Sequence, residues 1–262
     1  MKQDSAETSV TEAKPAHYVA VDHGPFRYVE RTSPSTSNLD ELTCGVYEFS
    51  APTQTSALCH PDEEAFLLGW AGEVTVLIEG KEFAMSKYDA LYVPKGAAYR
   101  LRCNSAPAKI IVCRAPGKSV HPLHYAKWET LRKDESRIRH LKGKDVFLMF
   151  DVTEPGDRLM AGLTIFEPHQ RSYPPHNHTD QEEIYFFTEG HGAMEVYADE
   201  ATKWFVHSVN TGDLVTIPLL NYHPVFSHEE PLHFLWCIAG ERYWIGDKNK
   251  DFMAGKGEKI TT

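Results

Sequence analysis

Residues 174–190 read PPHNHTDQEEIYFFTEG. In an extended strand, side chains two apart point to the same side, so His176 and His178 present both imidazoles to one point. Glu183 follows five residues after His178 and Gly190 twelve after it, which leaves room for a turn, a returning strand and a second turn. Downstream, GDLVTIPLLNYHP (212–224) brackets a short apolar run between Gly212 and Pro218 and sets His223 five residues after Pro218. Turn, strand and turn deliver that imidazole from a neighbouring strand. Three neutral imidazoles and one carboxylate suit Zn, Mn, Fe, Co or Ni, and the donor set does not choose among them. Its net charge of minus one leaves a divalent ion with residual Lewis acidity and open positions for substrate. His-x-His alone is common among surface and core histidines; joined to the Glu, Gly and Pro-to-His spacing it becomes specific for a metal site.

Around these segments, short apolar runs recur between turn signals: FLLGWAG (66–72), VTVLIEG (74–80) and ALYVPKGA (90–97), then EIYFFTEG (183–190), AMEVYA (193–198) and DLVTIPLL (213–220). This spacing predicts many short β-strands. The two sets superimpose. Gly72 matches Gly190 at an offset of 118, and Pro94 matches Pro218 at 124, after a six-residue insertion near ADEATKW in the second copy. The expected fold is all-β, two similar barrels in one chain: a tail over 1–18, a first domain over 19–120, a polar connector over 121–145 and a second domain over 146–262. By the same offsets His176, His178, Glu183 and His223 fall on Leu58, His60, Ala65 and Tyr99. Three of the four donors are absent from the first copy, which is therefore expected to be scaffold.

The 262 residues allow one or two domains, and 42% hydrophobic with 24% charged residues is ordinary for a globular chain. Against 27 Lys and Arg stand 37 Asp and Glu, with no long basic run, so nucleic acid and anionic membrane are poor partners. Five scattered cysteines without a C-x-x-C pair fit a reducing compartment. The first 17 residues lack the apolar run of a secretory signal, and no stretch approaches a membrane span, so a cytoplasmic protein is expected.

The His-x-His, Glu and Gly run and the Pro-to-His run resemble the two cupin motifs. Pro168 or Glu167 stands where a first Gly is expected, and Leu220 replaces the Gly of the second motif, which predicts a loop of different shape before His223. The chain as a whole resembles the bicupin family of 5-keto-4-deoxyuronate and 5-deoxyglucuronate isomerases. The likeness runs from about Gly69 to Asp247 through YDALYVPKGA, AKIIVCRAPGKSVHP, ESRIRHLKG, SYPPHNHTDQEEIYFF, GDLVTIPLLNYHP and FLWCIAGERYW. SYPPHNH, EEIYFF, NYHP and AGERYW resemble the 5-deoxyglucuronate branch of inositol catabolism, the leading expectation. The compact His-x-His-x4-Glu and the step from Pro218 to His223 resemble the ketodeoxyuronate branch of pectin-derived uronate breakdown. The resemblance implies two jelly-roll barrels joined by a short helix or loop. It further implies a metal-dependent aldose-ketose isomerase of a small sugar acid, zinc first with manganese or iron as alternatives, and a cytoplasmic homo-oligomer. A cupin dioxygenase and a non-catalytic sugar-acid-binding cupin are the competing classes.

Ketol isomerisation needs a polarised carbonyl and a base near the carbon-bound proton. Alternation along the strand from Glu183 turns Tyr185 inward as a hydrogen-bond donor. On AMEVY either Met194 and Val196 or Glu195 and Tyr197 face inward; Glu195 is the candidate base. A uronate carboxylate calls for a guanidinium, and Arg171 and Arg242 are the candidates, each equally able to be a surface arginine. Tyr222, beside His223, either lines the mouth or packs.

Overall fold

The computed structural model describes residues 10, 11, 20–172, 175–198, 201 and 205–243. Its strands are β1 (Val10–Thr11), β2 (Ala20–His23), β3 (Phe26–Thr32), β4 (Thr43–Phe49), β5 (Thr53–Gln54), β6 (Glu63–Ile78), β7 (Lys81–Met85), β8 (Ala90–Val93), β9 (Tyr99–Pro116) and β10 (His124–Ala126). After a short helix α1 (Trp128–Leu131) and a 3-10 turn (Glu135–Arg137) come β11 (Ile138–Leu141), β12 (Lys144–Phe150), β13 (Leu159–Phe166), β14 (Gln181–Glu189), β15 (His191–Val196), β16 (Phe205–Asn210), β17 (Leu214–Ile217), β18 (Val225–Ser227) and β19 (Leu232–Gly240). One sheet runs β10-β8-β6-β9-β4-β3-β2, a second runs β1-β17-β14-β19-β13-β12-β11, and β16-β15-β18 form a third. The fold is all-β, a bicupin. Among the described residues no helix is long and apolar enough to cross a membrane.

The two large sheets press their outer faces together. Phe66, Tyr92 and Cys113 of the first share one core with Phe150, Phe186 and Cys237 of the second. Tyr92 stacks on Phe150 at 4.1 Å and Trp70 meets Phe186 edge-on at 5.0 Å. Each sheet also has an interior of its own, and strands buried on both faces read as continuous apolar runs rather than alternating ones. That explains EEIYFF: Ile184 and Phe186 turn to the shared core while Tyr185 and Phe187 turn into the second barrel.

Two carboxylates lock this interface reciprocally. Glu64 accepts from the backbone N–H of Asp157, Arg158 and Leu159 at 3.0, 2.7 and 2.6 Å. Glu182, its equivalent at offset 118, accepts from Asp40, Glu41 and Leu42 at 2.7, 2.7 and 2.5 Å. Each half thus holds a loop of the other.

The turn glycines repeat as well. Gly72 and Gly190 have φ of +66° and +84°, and a Cβ there would lie 2.5 Å from the Pro107 carbonyl oxygen and 2.2 Å from that of Pro231, respectively. Leu220 corrects the expectation of an altered loop. It adopts φ +64° beside +73° for its counterpart Gly96, and its N–H reaches the His178 carbonyl at 2.7 Å as that of Gly96 reaches His60 at 2.9 Å. The loop keeps its shape and the leucine carries the strain.

Of the stretch expected to be a tail, only Val10 and Thr11 are described, as a backbone strand beside β17; the remainder lies outside the described residues. Residues 121–145 cross between the sheets but are built into both. β10 pairs with β8, and β11 pairs with β12.

Candidate metal centre

His176 and His178 lie in the segment leading into β14, Glu183 on β14 and His223 in the loop from β17 to β18. One ring nitrogen from each of His176, His178 and His223 falls within 4.8 Å of the others. Glu183 Oε2 lies 3.4 Å from His178 Nε2 and 3.2 Å from His223 Nε2. Donors about 2.1 Å from a common ion at tetrahedral or octahedral angles stand about 3.0–3.4 Å apart, so these separations fit a shared cation. Both loops are tied together by the bond from the Leu220 N–H to the His178 carbonyl.

The hydrogen-bond pattern agrees. His223 Nδ1–H donates to the Asn221 carbonyl at 2.9 Å, which leaves Nε2 bare and turned to the cluster. His223 Nε2, both ring nitrogens of His178 and Glu183 Oε2 are buried without a hydrogen-bond partner. Such orphans are costly in a folded protein unless something meets them. Burial, together with the neighbouring His223, His178 and Lys144, holds His176 well below the usual imidazole range. Burial pushes Glu183 up, but the neighbouring His178 and His223 outweigh it and hold the carboxyl below its ordinary value. Neutral imidazole and ionised carboxylate are the ligating forms.

The first barrel shows the contrast. At the matching positions stand Leu58, Ala65 and Tyr99, and His60 is engaged by Tyr99 Oη at 3.2 Å and by Arg114 Nη1 at 3.2 Å. Tyr47 and Tyr99 bond each other at 2.9 Å, and Arg114 pairs with Glu63 at 2.6 Å. His60, Tyr47, Tyr99, Arg114 and Glu63 thus bond one another there instead of converging on an ion.

A cavity opens onto the histidine cluster, walled by Phe166, Phe234, Trp236 and Ile238 and carrying Tyr185, Arg139 and Lys144. Its volume of ≈ 110 Å³ exceeds severalfold the roughly 10–15 Å³ that one water needs, so it takes a ligand of several heavy atoms. Tyr185 faces it as expected, edge-on to His223 at 5.6 Å.

The other candidates do not reach it. Met194 and Val196 fill the barrel, so alternation turns Glu195 outward, 3.4 Å from Arg171 Nη2, and both border a separate outer groove. Arg242 binds the carbonyls of Leu159, Glu154 and Gly156 at 2.9, 2.7 and 3.1 Å and also that of Asp151, clamping the 151–159 loop. Tyr222 stacks on Tyr197 at 5.5 Å. A second, more exposed group, His191, His228 and Glu229, is occupied by ion pairs from His191 to Glu229 and Glu230. Sequence reading missed Arg139 and Lys144, hidden in the apparent connector. Their signal was the Lys142-Gly143 pair between alternating segments, a hairpin mark.

The family model that matches covers residues 17–254. The chain belongs to the KduI/IolB family. Two curated relatives, from Lachnospira eligens and Yersinia enterocolitica, are each named 4-deoxy-L-threo-5-hexosulose-uronate ketol-isomerase. They are 25% and 28% identical to this KduI/IolB chain over 69% of its length, and the match spans about two thirds of theirs, 66% and 67%. Among solved structures, a deletion mutant of Bacillus subtilis oxalate decarboxylase superimposes with a TM-score of 0.69 at 15% identity, over 88% of this chain and 77% of that one. Another structure of that enzyme, titled for its Mn(II) centres, has the same TM-score and identity over 90% and 78%. These two share the fold of the KduI/IolB chain.

Proposed function

We propose that the chain is a metal-dependent ketol-isomerase acting on a 4-deoxy-5-keto hexuronate, the substrate in the names of its relatives. The observation that carries this is the donor set of His176, His178, Glu183 and His223, gathered at the end of a ligand-sized cavity, with the buried donor atoms of His178, Glu183 and His223 left without a hydrogen-bond partner. A divalent ion held there would supply Lewis acidity, polarising the substrate carbonyl and offsetting the charge that develops as the adjacent carbon loses its proton. The Tyr185 hydroxyl has no hydrogen-bond partner among the described residues. Burial and the Glu183 charge hold the phenol protonated, so it donates to a substrate oxygen. Phe166, Phe234 and Trp236 give the cavity apolar walls, a low-dielectric setting in which such a bond is stronger. The proton-transferring group belongs to the cavity wall, which removes Glu195.

Zinc is the first ion to test, with iron a further choice. Manganese comes second, because the oxalate decarboxylase that shares the fold is described by Mn(II) centres. A cytoplasmic homo-oligomer with five free thiols completes the proposal; light scattering on the purified protein checks the assembly.

The test loads the protein with Zn or Mn in heavy water and offers 4-deoxy-5-keto uronate and 5-deoxyglucuronate. The second substrate is included because SYPPHNH, NYHP and AGERYW resemble that branch. Deuterium entering the carbon beside the carbonyl of the first, without oxygen uptake, is the expected result. Oxygen consumption coupled to product makes the chain an oxygenase, and silence on both sugars with retained binding makes it a binding protein.

A further inference from the structure

The cavity carries a cation that nothing in the metal site employs. Lys144 opens β12 opposite Leu141 of β11 and Phe166 of β13, and directly opposed residues share a face of the sheet. Arg139, opposite Val146, lies on the same face, and all five border the cavity. The Lys144 ammonium sits 5.1 Å from the Phe166 ring centroid, and among the described residues no carboxylate pairs with it. Burial alone pushes it down to about 8. A cation in an apolar wall is costly unless an anion meets it.

The internal repeat shows that the fold does not require this lysine. The matching rung in the first barrel is Phe26 opposite Phe49, two buried rings 5.3 Å apart. Lys144 therefore replaces a core phenylalanine. In a hexosulose uronate the carboxylate and the reacting aldehyde are at opposite ends of the carbon chain, so the two ends need separate receptors. The only carboxylate bordering the cavity among the described residues is Glu183, at the histidine cluster, which leaves Lys144, on the wall that Arg139 also borders, to receive an anion.

We infer that Lys144, with Arg139 on the adjoining strand, binds the carboxylate of the sugar acid and so selects acids over neutral sugars. The inference rests on the sugar-acid reading of the same site. It replaces the pairing of Arg171 and Arg242 with the substrate, since both are turned elsewhere.

The test compares 4-deoxy-5-keto uronate with its methyl ester in the wild type, Lys144→Met and Lys144→Arg, with metal content measured in each. For the acid, Lys144→Met is expected to lower kcat/KM by about 30-fold or more, chiefly through KM, with the ester changed less than about threefold. Lys144→Arg keeps most of the preference for the acid. Methionine suits a rung that tolerates phenylalanine; Lys144→Gln takes its place should that variant be insoluble. Equal losses on acid and ester, or no loss on either, overturn the inference while leaving the isomerase reading intact. If the wild type converts neither compound, the isomerase reading fails instead. Calorimetry with galacturonate and galactose then decides: binding of the acid that is lost in Lys144→Met supports the anchor, and equal binding or none overturns it.

Discussion

Replacing Glu64 with alanine tests how the two barrels are joined. Its side chain is fully buried and receives the N–H groups of Asp157, Arg158 and Leu159 as well as the Tyr92 hydroxyl at 2.7 Å. Truncation leaves three backbone donors facing a void. A hydrogen bond to a charged group is worth about 1.5–3 kcal/mol, and an orphaned buried donor costs about 1–3 kcal/mol. Because the Asp157 and Arg158 amides are only part-buried and can recruit water, the expected loss is about 3–5 kcal/mol rather than the full sum. In urea, with a slope of about 3 kcal/mol/M, the midpoint moves down by roughly 1–1.7 M. Fluorescence of Trp70, at the interface beside Phe186, follows the transition. Glu182→Ala should lose a similar amount, since it holds the reciprocal loop, whereas Tyr92→Phe should lose about 1 kcal/mol. A Glu64→Ala variant within about 1 kcal/mol of wild type would refute the interlock.

Burial and Arg114 push His60 down to about 4. Its folded value lies below its unfolded one, so its contribution is complete above about pH 6.5 and is lost as pH falls toward 4, by roughly 2–3 kcal/mol; His60→Gln should flatten the stability profile over that window, and an unchanged profile would contradict the network. Leu220→Gly should raise the melting temperature slightly, because relief of about 1–2 kcal/mol of left-handed strain exceeds the added chain entropy of about 0.4–1 kcal/mol. A clear fall would show that the side chain contributes packing. Glu195→Gln should leave kcat/KM within about twofold, since the carboxylate faces Arg171 outside the cavity; a large drop would restore it as the base.

The barrels and the donor set were legible in the sequence because both rest on local regularities. The His-x-His spacing, the turn glycines at 72 and 190 and the repeat offsets translate directly into strands and turns. The face of AMEVY was not legible. Alternation fixes that Glu195 and Met194 oppose each other, and only packing in the barrel buries Met194. Arg242 next to Tyr243 read as a pocket guanidinium, yet its donors answer backbone carbonyls of a loop more than eighty residues earlier, a contact no spacing encodes. Lys144 was hidden by composition. KWETLRKDESRIRH is polar enough to suggest a connector, and the β11-β12 hairpin that ends it brings Arg139 and Lys144, with Leu141 and Val146, to the cavity.

Metal analysis of the purified protein beside a His176→Ala, His223→Ala double variant tests the donor set most directly. The expected result is about one divalent ion per chain in the wild type and essentially none in the variant, with proton exchange on the uronate lost in the variant alone. A wild type that is free of metal and fully active, or a double variant that keeps its ion, would contradict it.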